Sequence, residues 1–172
     1  VIAEGVETTT HGLMLMLLGC DHAQGYGIAR PMPEAEFKTW FDSYQANQEW
    51  LELAHLSLSP RQKLLTLLVI ESKRWLERLI TTLESPSDEI HQWPAINLDK
   101  SLSALWLGQA RKQQLFDPAW IDQLEQDFKQ LHQIGSAAKE LFLQGKYEEA
   151  QTAIPNLQKT YATIDELLEH SD

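Results

Sequence analysis

Cysteine is nearly missing from this 172-residue chain, with Cys20 its single example. One thiol excludes an intrachain disulfide, and such sparing use predicts a reducing, cytoplasmic setting. Long apolar runs are missing too. The run 64–70 stops at Glu71, Lys73 and Arg74, far short of the roughly 20 residues that cross a bilayer. No signal-peptide pattern, internal repeat or low-complexity tract is visible. Positive charge is scarce: residues 1–59 hold two basic against eight acidic residues, and residues 60–172 hold 12 against 17, for a formal net charge of -11. An acidic surface in both halves repels phosphate, which predicts no nucleic-acid binding and no membrane contact by this segment. What is present is apolar: 43% hydrophobic residues and six Trp, enough for one domain with a core and a fragment of another.

The pattern changes character along the chain. Residues 1–4 read as the end of a buried strand that Gly5 breaks. Residues 8–18 place Leu13, Met14, Met16, Leu17 and Leu18 at helical spacing, and Gly19 stops them. Residues 21–28 predict a short strand and a loop in which Gly25 and Gly27 relax the backbone. After Pro31-Met32-Pro33 comes a helix with Phe37, Trp40, Phe41 and Tyr44 on one face, predicted to run on through Trp50 and Leu53 as a connector ending near Leu58. Strand, helix, strand, helix is the order that two βα barrel units require.

At Ser59 a second pattern begins. Ser59-Pro60-Arg61-Gln62 offers a Ser N-cap, Pro at the first helical position and Gln to close a capping box. The helix is predicted to reach about Leu83, burying Leu64, Leu67, Leu68, Trp75, Leu76, Leu79 and Leu83, and to stop at Ser85-Pro86. A second helix over 98–115 turns Leu102, Leu105 and Trp106 inward. Asp117-Pro118 starts a third, with Trp120, Leu124, Phe128, Leu131, Ala138 and Leu141 inward, ending at Gly145. A fourth spans 147–168, bent or interrupted by Pro155. Long striped helices and mostly short turns predict an antiparallel four-helix bundle over about 60–168. The fold expected is mainly α, with segments 1–48 (two βα units), 49–59 (helical connector) and 60–172 (bundle).

The front segment resembles the closing part of EAL-type cyclic di-GMP phosphodiesterase domains. Ala3-Glu4-Gly5-Val6-Glu7-Thr8, Leu18-Gly19-Cys20-Asp21, Gln24-Gly25-Tyr26 and Arg30-Pro31 carry the resemblance in order and spacing. Such a domain is a βα barrel of about 250 residues, so the resemblance implies a chain that starts inside a strand of a truncated barrel. It implies that Glu4 acts at a catalytic metal–water centre and that Gln24 lies near substrate and metals. Glu7 is a weaker member of that set, equally readable as a helix-dipole residue. The parent would use Mg or Mn, while the fragment itself would be neither catalytic nor cofactor-binding. Two βα units without their neighbours leave strand edges open, so residues 1–30 are expected to be disordered, rearranged or paired with another chain.

The second half is similar to chemoreceptor zinc-binding (CZB) domains, four-helix bundles in which three His and one Cys hold zinc. Trp75, Trp106 and the stretch from Gly145 to Ala150 keep that framework. The ligand positions fall on Ser72, Ser101, Phe128 and His132, of which only the last is a zinc donor. Structural zinc needs four donors, so zinc is not expected. The other histidines, His11, His22, His55, His91 and His170, show no i,i+4 pairing. The resemblances imply the regulatory or dimerising tail of a cyclic di-GMP signalling protein, a homodimer whose bundle contacts a partner protein. The alternative is a non-catalytic cyclic di-GMP receptor or scaffold whose bundle binds a partner or a small ligand.

Overall fold

The computed structural model describes residues 2–85 and 93–171; Val1, the stop signal at Pro86, and His91 lie outside them. The described residues are mainly helical and form two compact units, Val1–Leu67 and Leu68–Asp172. Among them no helix is long and apolar enough to cross a membrane.

In the first unit β1 (Ile2–Ala3) leads through α1 (Thr9–Leu17) to β2 (His22–Ala23). The strands pair in parallel, Ile2 opposite His22 and Ala3 opposite Ala23, the arrangement that a helical crossover allows. The expectation that residues 1–30 lose this order is therefore not met. Nor is the first strand buried: Ile2 is 66% exposed, since a two-stranded ladder leaves its face uncovered. α1 starts where Thr8 Oγ1 accepts from the His11 N–H at 3.2 Å and ends before Gly19, whose φ of +79° a glycine adopts without strain.

α2 (Glu34–Ser43) does not continue to Trp50, correcting the expected connector. The Ser43 hydroxyl donates to the carbonyls of Thr39 and Trp40 at 2.9 and 3.1 Å, and Tyr44 turns extended. Asn47 then caps a separate helix, α3 (Gln48–His55), with its side chain accepting from the Trp50 N–H at 3.2 Å. α3 packs back on α1. The Trp50 indole N–H donates to the Thr9 carbonyl at 2.8 Å, and Asn47 Nδ2 donates to Thr9 Oγ1 at 3.0 Å. Gly12 makes the room, since a Cβ at that position would overlap the indole ring. Trp50 thus fastens two helices of the first unit.

α4 (Pro60–Glu84) opens with the reciprocal capping box: the Ser59 N–H donates to Gln62 Oε1 at 2.9 Å and the Gln62 N–H to Ser59 Oγ at 3.3 Å. Its buried stripe is Leu68, Ser72, Trp75, Leu76, Leu79 and Leu83, while Leu64 and Leu67 are half-buried. A 3-10 turn (Leu98–Lys100) precedes α5 (Leu102–Gln113). The expected inward face of this helix was wrong in two of three residues: Leu102 and Leu105 are 48% and 66% exposed. Ser101 is the N-cap, so the helix starts later, and Ser103, Trp106, Leu107 and Ala110 face inward at i, i+3, i+4 and i+7.

α6 (Pro118–Leu143) starts where the Asp117 carboxylate accepts from the N–H groups of Ala119 and Trp120 at 2.8 and 3.1 Å. It packs against α5, α7 (Tyr147–Gln151) and α8 (Ile154–Glu169). The break between the last two falls at Thr152–Ala153, with Pro155 in the first turn of α8, where its missing N–H costs nothing. Phe116 stacks on Trp120 at 5.1 Å beside Trp106, and the Trp120 indole donates to the Leu167 carbonyl at 3.1 Å, tying α6 to α8.

Candidate functional site

Two sets of residues were singled out in the sequence, one in each unit. In the first, Glu4 follows β1 directly and Gln24 follows β2, so the register puts them side by side at the carboxyl ends of parallel strands. The Gln24 N–H donates to the Ala3 carbonyl at 2.8 Å, and the Gln24 carbonyl accepts from the Val6 N–H at 3.0 Å. A regular ladder would bridge residues two apart, but here Glu4 and Gly5 together oppose Gln24. This is a bulge, with Gly5 at a φ of +73°. Beyond it Val6 is buried, and the Gly25–Gly27 loop crosses its backbone so closely that a Cβ at Gly25 would strike the Val6 peptide. Glu4, Gln24 and Glu7 are all exposed. Glu7 stands just before the Thr8 cap, outside α1. Cys20 is half-buried and donates to the His22 carbonyl at 3.3 Å.

In the second unit, Ser72, Ser101, Phe128 and His132 are all buried, between 1% and 5% exposed. Ser72, Ser101 and His132 each hydrogen-bond a partner outside the four. Ser72 Oγ lies 3.3 Å from the Val69 carbonyl and 3.4 Å from Tyr161 Oη. A carbonyl only accepts, so Ser72 gives it the hydroxyl proton and Tyr161 donates to Ser72. Burial raises the Tyr161 phenol above its usual range, and the Asp165 and Glu77 carboxylates push the same way. Ser101 Oγ donates to the Leu98 carbonyl at 2.6 Å while accepting from the Ala104 N–H at 3.2 Å. Phe128 is packed at 1% exposure.

His132 lies with its ring 4.4 Å from the Trp75 ring and its Nδ1 2.8 Å from the Ile96 carbonyl. Nδ1 must therefore carry the proton, which leaves the lone pair on Nε2 when the ring is neutral. This tie between α6 and the segment before the 3-10 turn had no sequence signal, since it uses a backbone carbonyl in a loop. The donor set does not fit structural zinc: one imidazole is available, and both hydroxyls are committed elsewhere. Among the described residues no group of three or more His, Cys, Asp or Glu is arranged to hold a metal ion.

Burial pushes the His132 imidazole below the usual histidine range, with the Ile96 carbonyl opposing. The unfolded chain takes up this proton near pH 6.5, the folded chain only at lower pH. The contribution to stability is thus complete above about pH 6.5 and is lost as pH falls toward the lowered folded value. Glu71 has the opposite sign: burial raises its carboxyl against Arg74 and Arg78, so its share is lost as pH rises through the raised value. Urea midpoints at pH 7.5 and 5.5 are expected to fall further on acidification for the wild type than for His132→Gln.

No protein-family model matches the chain, and no curated protein or solved structure does.

Proposed function

We propose that the chain is the closing segment of an EAL-type cyclic di-GMP phosphodiesterase followed by a CZB-like four-helix bundle that has lost its zinc ligands. The bundle regulates the enzyme and joins two copies of it. The observation that carries this reading is the parallel β1–β2 ladder, which brings Glu4 and Gln24 together at the carboxyl ends of adjacent strands. That end of parallel strands is where βα barrels keep their chemistry. A bulge at the same point supports the reading further, since bulges re-aim side chains beside active sites.

The Glu4 carboxylate and Gln24 amide oxygen are hard donors of the type that Mg or Mn accepts. In the parent, divalent ions would activate water for in-line attack on a phosphodiester. The role of this chain is to hold Glu4 and Gln24 on a fixed ladder, with the remaining carboxylates supplied by upstream strands. In the second unit Ser101, Ser72 and Phe128 then replace metal ligands by a helix cap, a hydroxyl pair and core packing.

The test is hydrolysis of cyclic di-GMP by the full-length protein that carries this segment. Glu4→Gln is expected to lower the rate by about a hundredfold or more while nucleotide binding persists, and the 172-residue chain alone is expected to release no linear product. Binding without hydrolysis in the unaltered full-length protein would favour the receptor reading. Hydrolysis indifferent to Glu4→Gln would overturn the assignment.

A further inference from the structure

A groove of about 610 Å³ runs along one face of α6, walled by the 96–99 segment. At its floor lies His132, 5% exposed, with Nδ1 spent on the Ile96 carbonyl. No described residue hydrogen-bonds Nε2, although every buried side-chain nitrogen and oxygen among the described residues has a partner. Nε2 therefore keeps contact with solvent, and His132 meets solvent at this groove. A nearly buried ring thus keeps one acceptor with no partner among the described residues, beside an open space of ligand size that His132 lines.

The charges around that acceptor choose the ligand. Lys129 is already paired with Glu125 at 2.6 Å, and Lys139 sits over the Trp93 ring at 5.1 Å. Asp99 and Glu140 also line the groove, and no described residue forms an ion pair with either. His132 and Glu140 are eight residues apart on α6, about 12 Å along its axis, with Leu98 and Leu143 as apolar lining. An anion would meet two carboxylates and a lone pair; a cation is matched by those three groups, while Glu125 already neutralises the Lys129 ammonium and the Lys139 ammonium lies over Trp93. The net charge of -11 also concentrates cations near the surface.

We propose that this groove binds an aliphatic polyamine, one amine N–H donating to His132 Nε2, its ammonium groups pairing with Asp99 and Glu140, and its methylenes lying on Leu98 and Leu143. The proposal is independent of the nucleotide reading and stands or falls separately from it. A neutral imidazole suits the role, and burial keeps His132 neutral.

Titration calorimetry of the whole chain with spermidine at about 0.15 M salt, where surface charge is screened beyond about 8 Å, tests the site. Saturable 1:1 binding is expected, weakened about tenfold or more in Asp99→Asn/Glu140→Gln. It is expected to change less than about twofold in Glu148→Gln/Glu169→Gln, which removes equal charge elsewhere. In ¹⁵N-histidine spectra the His132 Nε2 resonance is expected to move on binding. Equal loss in both double variants would reduce the effect to diffuse charge and overturn the proposal. A still His132 resonance, no saturable heat, or preferential binding of glutamate would do the same.

Discussion

A chain carrying S72H, S101C and F128H beside native His132 is expected to take up one zinc ion with a sub-micromolar Kd, about 8 kcal/mol or more. The wild type is expected to hold none stoichiometrically. All four positions are buried in the second unit, and three His with one Cys complete a tetrahedral donor set once the His132 ring gives up the Ile96 carbonyl and turns toward the other three. The cost without metal is also foreseeable. S101C removes a hydroxyl that caps α5, worth about 1 kcal/mol, and F128H puts a polar ring where a fully packed phenyl stood. The metal-free variant should therefore melt well below the wild type and recover on adding zinc, because metal binding to such a site is folding free energy. Equilibrium dialysis gives the stoichiometry, and a cobalt-loaded sample reports tetrahedral geometry by its visible absorption. If zinc binds no better than to wild type, the four positions do not converge, and the proposed kinship of the bundle is lost with them.

Phe128→Ala is the second large effect, expected to cost about 3–5 kcal/mol in urea unfolding. Phe128 is the largest of the fully buried side chains, and truncating it leaves a cavity that its neighbours fill only in part. Phe128→Leu, closer in volume, is expected to cost less than about 1.5 kcal/mol. A small domain has about 5–15 kcal/mol in total, so the alanine variant would sit near the limit of folding while the leucine variant would not. Equal and small losses in the two variants would mean that Phe128 does not brace the core.

What could be read from the residues beforehand was whatever has a local cause. Ser59 with Gln62, Asp117 with Pro118, and Pro155 each act within one turn of chain, and all three shape helix ends where their chemistry requires. Glu4 and Gln24 stand out through the resemblance of their surrounding motifs to EAL-type domains, not through a local physical signal. The failures came from weak local competitors that periodicity overlooks and from choices settled across space. Leu102 and Leu105 look inward by hydrophobicity, yet Ser101 as the cap fixed the start of α5 and gave the buried face to Ser103 and Leu107. The break between α2 and α3 rests on the Ser43 hydroxyl and the Asn47 cap, weak competitors with the backbone that a periodicity argument passes over. Gly12 showed no reason for being glycine until the Trp50 indole was seen to lie against it. The groove over His132 was the least accessible, for its defining bond goes to a main-chain oxygen 36 positions away.

The extra residue at Glu4–Gly5 has an evolutionary corollary. Two residues there oppose one on β2, so losing one would return the ladder to one-for-one pairing and remove the bend beside Glu4. A three-nucleotide deletion at this point would straighten the strand end rather than merely shorten it. Length variation in descendants of this chain is thus expected to accumulate elsewhere, such as in the turn between α2 and α3, and to spare the pair that sets Glu4 beside Gln24.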